Sequence, residues 1–283
     1  MADGFLQVLG LIRWSYPSDV AAFKAEAATM DELRARLYAP LRMEERLFYL
    51  EHVVLPCIRE QTDPNFKMVL LLGENLPDPW RGQVLDLVSG ISQIVPVFEE
   101  EGQKHAALCR KVMRAHRNMR AAAVAEFRLD DDDAMARDFV AETRKAYRQH
   151  RALLAAHGAF CLDHTKGFAM VTRGTEVSVR PVFAHLWGIS QALFYPPEHR
   201  KSLLDYPHKW LWTSMPNITV PGAPKWVRGV HQTNDSGIAD GVDKLRGWDC
   251  PEEQVPMLLA TEFAIDLTGV REGWAKLKSR HAA

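Results

Sequence analysis

Four segments of strand length, separated by segments of helical character, lie in the first half of the chain at residues 5–12, 65–73, 91–99 and 123–129, and the first two are apolar runs. An uninterrupted apolar run of this length is typical of a strand that is covered on both faces of a sheet. Strands that alternate with helices favour a mostly parallel sheet. We therefore predict an α/β fold with a mostly parallel central sheet flanked by helices.

The helix predictions rest on apolar spacing and on start and stop signals. Residues 43–62 carry apolar side chains at helical spacing. Asp78 followed by Pro79 is typical of a helix cap and a first helical position. A long amphipathic helix is predicted over residues 135–156, because Gly158 stands where such a helix would stop.

The sequence changes character after residue 158. Short strand patterns at residues 159–164, 167–173 and 175–181 are joined by turn residues. A segment dense in Trp, Pro, His and Tyr follows, up to Trp226. This pattern predicts a smaller, antiparallel and loop-rich C-terminal half. No long linker separates the halves, so we expect residues 1–283 to form one domain.

The composition excludes several classes of function. Lys and Arg number 35 and Asp and Glu number 36, so the formal net charge is −1 and no global positive field collects nucleic acid. The four cysteines form no CxxC pair, which indicates reduced, mostly buried thiols. GxGxxG, GxxxxGK[ST] and GxSxG patterns are absent. We expect no nucleic-acid partner, and chemistry led by carboxylates and a metal.

The amino terminus is predicted to be a strand rather than a signal peptide. Asp3 stands where a signal peptide would carry basic residues. The longest apolar runs are far shorter than the ~20 residues that a membrane span needs. We expect no transmembrane segment and a cytoplasmic location, with peripheral association at a membrane as an open alternative.

An acidic run directly follows the fourth predicted strand. It consists of Asp130, Asp131, Asp132 and Asp133. Adjacent carboxylates repel one another unless a cation neutralises them, and their oxygens suit Mg²⁺ or Mn²⁺. The carboxyl end of a parallel strand is also where α/β sheets bind ligands. The run therefore predicts a divalent-metal site, and the alternative is a solvated acidic turn in which Asp133 caps the next helix.

Several motifs resemble those of nucleotide-sugar glycosyltransferases of the GT-A fold. They are Arg13-Trp14-Ser15 after the first strand, Arg46 and Leu55-Pro56 in the next helix, QTDPNF at residues 61–66 and RLDDDDA at residues 128–134. The similarity is greatest to the bacterial family described as putative rhamnosyl transferases, over residues 9–139 and 227–236. The resemblance implies a GT-A-like fold in which residues 1–157 bind a nucleoside-diphosphate sugar and residues 158–283 face the acceptor.

The same resemblance implies roles within the acidic run, which is similar to the Asp-x-Asp motif that holds a divalent metal and the donor diphosphate. It implies that Asp130 contacts the ribose or the metal and that Asp132 ligates the metal. Asp133 would support or cap the following helix, and Asp131 would not take part. His231 is offered as a late metal ligand, with a hydrogen-bonded loop histidine as the alternative.

Four further residues are candidates for contacts to the donor. Arg13 and Arg128 carry planar guanidinium groups that suit phosphate oxygens, although each is equally compatible with a structural ion pair. Arg128 lies two residues before Asp130, so both side chains are expected on one side of the strand. Asn234 and Ser236 are candidate diphosphate contacts or plain turn residues.

The acceptor side is less defined by the sequence. Asp163, His164 and Asp235 are candidates for the base that an inverting transfer requires, and the sequence does not choose among them. Aromatic side chains commonly hold sugars, and they also pack in ordinary cores. The aromatic candidates in the C-terminal half are Trp187, Tyr195, Trp210, Trp212 and Trp226.

Together with the acidic run, the resemblance implies a metal-dependent glycosyltransferase of polysaccharide biosynthesis. It would move a sugar, with rhamnose implied by the family name, from a nucleoside-diphosphate sugar to a carbohydrate or glycan acceptor. Two alternatives stay open at this point. A nucleotidyl or phosphoryl transferase would use the same carboxylates and metal, and a non-catalytic glycan-binding protein would keep the fold without the chemistry.

Overall fold

The computed structural model describes residues 4–20, 27–232 and 242–282. Its strands form a seven-stranded and a four-stranded sheet. The strands are β1 (Leu6–Arg13), β2 (Lys67–Gly73), β3 (Ile94–Glu99), β4 (Ala123–Asp130), β5 (Ala134–Met135), β6 (Phe160–His164), β7 (Lys166–Arg173), β8 (Glu176–Phe183), β9 (Gln191–Tyr195), β10 (Asn217–Val220) and β11 (Trp226–Val230).

The larger sheet confirms the predicted α/β class with a mostly parallel central sheet. Its strand order is β10-β6-β9-β4-β1-β2-β3. Strand β1 lies between β4 and β2 and is parallel to both, β3 is parallel to β2, and β10 is parallel to β6. Only β9, which is antiparallel to β4 and to β6, departs from this direction in the described sheet.

The central strand β1 shows why its apolar run is continuous. Val8 and Ile12 pack into one hydrophobic cluster, whereas Leu9 and Leu11 pack into a second one. Successive side chains of a strand point to opposite faces of a sheet, so the two clusters lie on the two faces. All four side chains are almost fully buried. Both faces of the sheet are therefore covered, as the sequence pattern predicts.

Helices flank the two sheets. They are α1 (Met30–Leu37), α2 (Pro40–Tyr49), α3 (Leu55–Arg59), α4 (Trp80–Val88), α5 (His105–Ala115), α6 (Phe139–His157), α7 (Val255–Phe263) and α8 (Leu267–Ala282). A π-helical segment, Leu50–Val54, joins α2 directly to α3. The predicted helix over residues 43–62 is therefore present, with a wider turn in its middle. No helix in the described ranges combines the length and apolarity that crossing a bilayer requires.

The smaller sheet has the order β5-β11-β7-β8. Strand β7 is antiparallel to β8, and β11 is parallel to β7 and antiparallel to β5. The three predicted strands of the second half are all present, although the first of them, β6, belongs to the larger sheet. The four cysteines are free thiols, and three of them are buried.

Two predicted helix starts were wrong. The helix predicted from residue 135 begins at Phe139, because Ala134 and Met135 form strand β5 and pair with β11 instead. Asp133 consequently caps no helix. The helix predicted to begin at Pro79 begins at Trp80, with Pro79 at the cap position and no side-chain cap. Gly158 ends α6 with a φ of 73°, as predicted.

Candidate functional site

The candidate site lies where β1 and β4 end. These strands are neighbours and run in the same direction, and Arg13 is the register partner of Asp130. The carboxyl ends of parallel strands form the ligand-binding edge of α/β sheets. The four aspartates therefore begin at this edge, with Arg13 beside them. We call residues 130–133 the acidic run.

Asp131 is held by the chain that follows β1. Its carboxylate accepts the backbone N–H of Ser15 at 3.2 Å and a guanidinium N–H of Arg46 at 2.5 Å. Ser15 has a φ of 46°, a left-handed conformation that is uncommon for residues other than glycine. Strained backbone of this kind clusters at functional sites. Asp131, which the sequence motif left without a role, therefore holds the β1 end in place.

Asp132 joins three elements of the fold. Its Oδ2 atom accepts a hydrogen bond from Arg46 at 2.9 Å and lies 2.7 Å from Nε2 of His231. Burial alone would raise the pKa of Asp132, but the charge of Arg46 and the hydrogen bond with His231 outweigh burial and hold the pKa below its usual value. Asp132 is therefore a buried carboxylate anion with two nitrogen partners.

Helix α2 supplies the guanidinium groups on this side. Arg42 and Arg46 are four residues apart and thus lie on one helix face, and both are buried. Arg42 donates to Oγ of Ser15 at 2.9 Å. Tyr49, at the end of α2, stacks on the ring of His231 with a centroid distance of 4.9 Å. One helix face therefore positions Ser15, the acidic run and His231 together.

Strand β11 supplies the opposite side. The N–H of Gly229 donates to Asp133 at 2.9 Å, and burial raises the pKa of the Asp133 carboxyl well above its usual value. Arg228 reaches towards Asp130 at 3.8 Å and Asp133 at 4.0 Å, and its guanidinium lies over the ring of Trp187. A buried arginine thus faces the two ends of the acidic run.

Arg128 extends the site towards the C-terminal half. Its Nε donates to the carbonyl of Gly188 at 3.3 Å, and its Nη2 lies 3.5 Å from Nδ1 of His208. Burial, followed by the charges of Arg128 and Arg228, lowers the pKa of His208 to about 4. Partial burial would raise the pKa of Asp130, but Arg128 and Arg228 hold it below its ordinary value.

Sequence reasoning missed Arg42 and Arg228, and it named Arg46 only as part of a motif. The available signal was an arginine pair at a spacing of four in one helix, which places both guanidinium groups on one helix face. Nothing in the local sequence around Arg228 points to the acidic run, because β11 reaches it only through its pairing with β5 and β7.

The base candidates lie two strands away from the acidic run. Asp163 and His164 end β6, and β9 separates β6 from β4. Asp163 accepts the N–H of Leu186 at 3.1 Å and the side-chain amide of Gln191 at 3.0 Å. Burial lowers the pKa of His164 to about 4, and neither ring nitrogen has a hydrogen-bond partner among the described residues. Asn234, Asp235 and Ser236 lie outside the described residues.

The aromatic candidates divide into two groups. Trp226 and Tyr195 are buried, and Trp187 lies beneath Arg228. Trp210 and Trp212 are instead exposed, by 58% and 59%. The core accounts for the first group, and the second remains available for a ligand.

The predicted metal ligands are only partly brought together. Asp132 and His231 are in contact, whereas Asp130 faces Arg228 and its side chain is 43% exposed. Within residues 4–20, 27–232 and 242–282, no three carboxylate, imidazole or thiol groups are arranged to hold a metal ion. Of the predicted metal ligands, Asp132 and His231 are therefore the pair that the described structure brings into contact.

The mostly parallel sheet places the chain in the α/β class, and its acidic and basic side chains lie at the edge where such folds bind ligands. Within that class, the chain belongs to the family described as "putative rhamnosyl transferase", whose sequence model matches residues 7–242. The resemblance found in the sequence is therefore confirmed. The comparison with curated proteins finds no match.

Solved structures with a similar fold include TarS and a mannosyltransferase. TarS 1–349 of S. aureus in complex with UDP is 11% identical, with 79% of this chain and 60% of that chain covered and a TM-score of 0.42. The mannosyltransferase PcManGT of Pyrobaculum calidifontis, in complex with GDP-Man and Mn²⁺, is 15% identical, with 97% and 73% covered and a TM-score of 0.42.

A nucleotidyltransferase is also among the similar structures. A glucose-1-phosphate thymidylyltransferase of Bacillus anthracis, itself described as putative, is 9% identical, with 77% of this chain and 88% of that chain covered and a TM-score of 0.37. All three TM-scores lie below 0.5. The class of this chain therefore rests on its own topology and on the family match.

Proposed function

We propose that the protein is a glycosyltransferase that takes a sugar from a nucleoside-diphosphate donor and transfers it to a carbohydrate or glycan acceptor. The family match supports the transferase class. The observation that carries the proposal is the meeting of Asp132, His231 and Arg46 at the carboxyl edge of the central sheet. Family membership and site geometry point to the same chemistry.

The donor diphosphate is the group that this site suits. Breaking the bond between sugar and diphosphate leaves negative charge on the diphosphate, and fixed positive groups stabilise that charge as it develops. Arg13, Arg128 and Arg228 surround Asp130, and each contributes to lowering its pKa. We propose that these three guanidinium groups face the diphosphate and that Asp130 contacts the donor ribose.

The side chains that could ligate a metal here fit a divalent cation in part. Carboxylate and imidazole are ligands that Mn²⁺ accepts, and diphosphate oxygens commonly complete such a site. Asp132 and His231 would hold the ion, which would supply further neutralisation of the leaving diphosphate. Arg46 already contacts Asp132, so it keeps this carboxylate ionised and oriented. Metal dependence with Mn²⁺ or Mg²⁺ is part of the proposal.

We propose separate roles for the two halves of the chain, as the sequence predicts. Residues 1–157 would bind the donor and residues 158–283 would face the acceptor, within one domain. Asn234 and Ser236 are kept as diphosphate contacts, and Asp163, His164 and Asp235 as base candidates. Rhamnose as the sugar, polysaccharide biosynthesis and a cytoplasmic location belong to the same proposal.

The base candidates can be separated by kinetics. Replacing a true base lowers kcat and leaves donor affinity unchanged, because the base acts on the acceptor hydroxyl. Asp163→Asn, His164→Phe and Asp235→Asn would each be compared for kcat, donor affinity and folding. Asp163 and His164 are buried, so unfolding by urea must accompany the kinetic comparison of these two.

The proposed function is tested with UDP-, GDP- and dTDP-sugars, including dTDP-rhamnose, with and without Mn²⁺. We expect one donor to bind and to release its nucleoside diphosphate. Asp132→Asn and His231→Gln should lose metal-dependent binding, whereas Asp243→Asn, a half-exposed carboxylate paired with Arg180, should not. Transfer of the nucleoside monophosphate with release of sugar 1-phosphate would identify a nucleotidyl transferase, and failure of every nucleotide sugar to bind would contradict the proposal.

A further inference from the structure

Two tryptophans lie side by side on the surface. The chain has eight tryptophans, and only Trp210 and Trp212 are more than half exposed. Their ring centroids are 5.8 Å apart and their planes are tilted by 46°. Tryptophan is rarely left in water, because its ring carries a large apolar surface. An exposed pair therefore requires a reason other than packing.

The backbone that carries the pair is firmly held. Both rings belong to the 3-10 segment His208–Thr213, and Leu211 between them is buried in the core. The N–H of Trp210 donates to the carbonyl of Pro207 at 2.8 Å, and Oγ1 of Thr213 donates to the carbonyl of Trp210 at 2.8 Å. The rings are thus presented outward by a fixed turn, and little ordering is needed when they bind a ligand.

The loop that leads into this segment is anchored from the sheet. Arg117 donates to the carbonyls of His199 and Lys201, at 2.5 and 2.7 Å. Glu126, on β4, accepts from the hydroxyl of Ser202 and the N–H of Leu203. The position of the tryptophan pair is therefore set by the same strand that ends in the acidic run.

The pair is continuous with the candidate site. His208, the first residue of the segment, lies 3.5 Å from Arg128, and Arg128 precedes Asp130 by two residues. The segment consequently runs from the donor side outward to the exposed rings. A ligand that covers the rings can extend towards the acidic run.

We propose that Trp210 and Trp212 form a platform that holds a sugar ring of a glycan acceptor by its C–H face. This inference rests on the proposed glycosyl transfer and specifies where its acceptor binds. Flat apolar faces of pyranose rings pack on aromatic rings, while their hydroxyl groups stay hydrated or bonded. The platform would leave one hydroxyl of the adjoining sugar directed towards Arg128 and the donor.

A sugar fits this surface better than a lipid bilayer does. Interfacial binding needs a wide apolar surface, and the segment offers two rings flanked by Lys209 and His208. Four other large apolar side chains are exposed in the described part of the chain. Phe5 and Met119 precede β1 and β4 and so lie at the opposite edge of the sheet, and Leu41 and Met257 belong to α2 and α7. The apolar surface of the segment itself therefore consists of the two tryptophan rings.

The test compares Trp210→Ala/Trp212→Ala with the unmodified protein. The probes are methyl glycosides of rhamnose, glucose, galactose, mannose and N-acetylglucosamine, observed by saturation-transfer NMR in the presence of UDP, GDP or dTDP. We expect a signal confined to one sugar face, and a loss of about tenfold in sugar affinity in the double variant. Met257→Ala, which removes an equally exposed side chain, serves as control.

Two readouts separate this inference from the proposed function. Nucleotide binding by calorimetry should be unchanged in the double variant, and an acceptor, once found, should show a raised KM with the same kcat. Unchanged sugar binding in the double variant, or no glycoside signal in the unmodified protein, would overturn the platform. A third result would be that the protein shows no glycoside signal and sediments with phosphatidylglycerol vesicles only when both tryptophans are present. That result would overturn the sugar platform in favour of a membrane-binding surface.

The remaining outcome divides the two proposals. If the glycoside signal depends on the tryptophans but no nucleotide or nucleotide sugar binds, the platform stands as a sugar-binding site without an acceptor role, and the proposed function fails. If a donor binds and is cleaved while the glycoside signal is the same in the double variant and the unmodified protein, the proposed function stands and the platform fails.

Discussion

The backbone N–H of Gly229 donates to the carboxylate of Asp133 at 2.9 Å, which joins β11 to the acidic run. The contact is so close that a Cβ atom on Gly229 would lie 2.5 Å from the carbonyl oxygen of Asp132. His231 follows two residues later on the same stretch of chain. The close packing of Gly229 against Asp132 therefore constrains the separation of Asp132 and His231.

Gly229→Ala should displace the acidic run and disturb the site without removing any polar side chain. We expect a destabilisation of about 1–3 kcal/mol from overpacking and a loss of donor affinity of about tenfold or more. Calorimetric titration with the donor measures the second effect. Gly82→Ala is the matched control, because a Cβ there meets no atom within 4 Å and α4 should be stabilised slightly. Equal donor affinity in both variants would contradict the proposed geometry.

Arg46→Met should leave two buried carboxylates without their shared cation. Removing one partner of a buried ion pair costs about 3–5 kcal/mol, because the remaining charge stays uncompensated. Urea unfolding measures this change in the free energy of unfolding. Arg173→Met, which removes an exposed partner of Asp243, should change it by less than about 1 kcal/mol. A loss at Arg46 as small as that at Arg173 would show that the acidic run is hydrated instead.

Arg117→Met should loosen the loop that positions the tryptophan pair. Arg117 and Glu126 form an ion pair at 2.8 Å with both side chains almost fully buried, so about 3–5 kcal/mol should be lost. Protease cleavage within residues 196–203 should become faster at concentrations of urea that leave the unmodified protein intact. Arg110→Met, which removes a partly exposed partner of Asp205, provides the comparison. Cleavage at equal rates in both variants would contradict the anchoring role.

His164 should make stability depend on pH. Burial, together with the charge of Lys225, lowers the pKa of His164 to about 4 from an ordinary value of 6.5. Between these pH values the unfolded chain binds a proton that the folded chain does not, so stability falls as the pH falls through this window. Folded and unfolded chains are both protonated below it, where the accumulated loss is about 3 kcal/mol.

The pH effect is measured as a difference between variants. His164→Phe keeps a ring against Phe139, and its stability relative to the unmodified protein should rise as the pH is lowered from 7 to 4. A difference that stays constant over this range would show that the His164 ring binds its proton equally in the folded and the unfolded chain.

The parts of the fold that the sequence predicts are those encoded locally. Strands β1, β2 and β4 are mostly apolar, and each is buried on both faces. Strand β5 was predicted as helix because it has two residues, and its pairing with β11 comes from a segment about ninety residues away. The antiparallel insertion of β9 between β4 and β6 likewise depends on partners that no local pattern specifies.

The candidate site follows the same division. The position of the acidic run at a strand end is readable from the sequence, because the apolar run and the aspartates are adjacent. The cations that neutralise the acidic run cannot be read from the local sequence, because a helix and a strand from distant parts of the chain bring Arg46 and Arg228 to it. The local sequence sets the position of each carboxylate, whereas its ionisation depends on charged groups that folding brings near it.

The acidic run also occupies the seam between the two sheets. Strand β4 of the larger sheet ends at Asp130, and β5 of the smaller sheet begins at Ala134. Three aspartates are consequently all the chain that passes from one sheet to the other at this point. A ligand that binds the acidic run is therefore expected to stabilise both sheets. Amide hydrogen exchange should then become slower in both sheets, including at residues far from the aspartates.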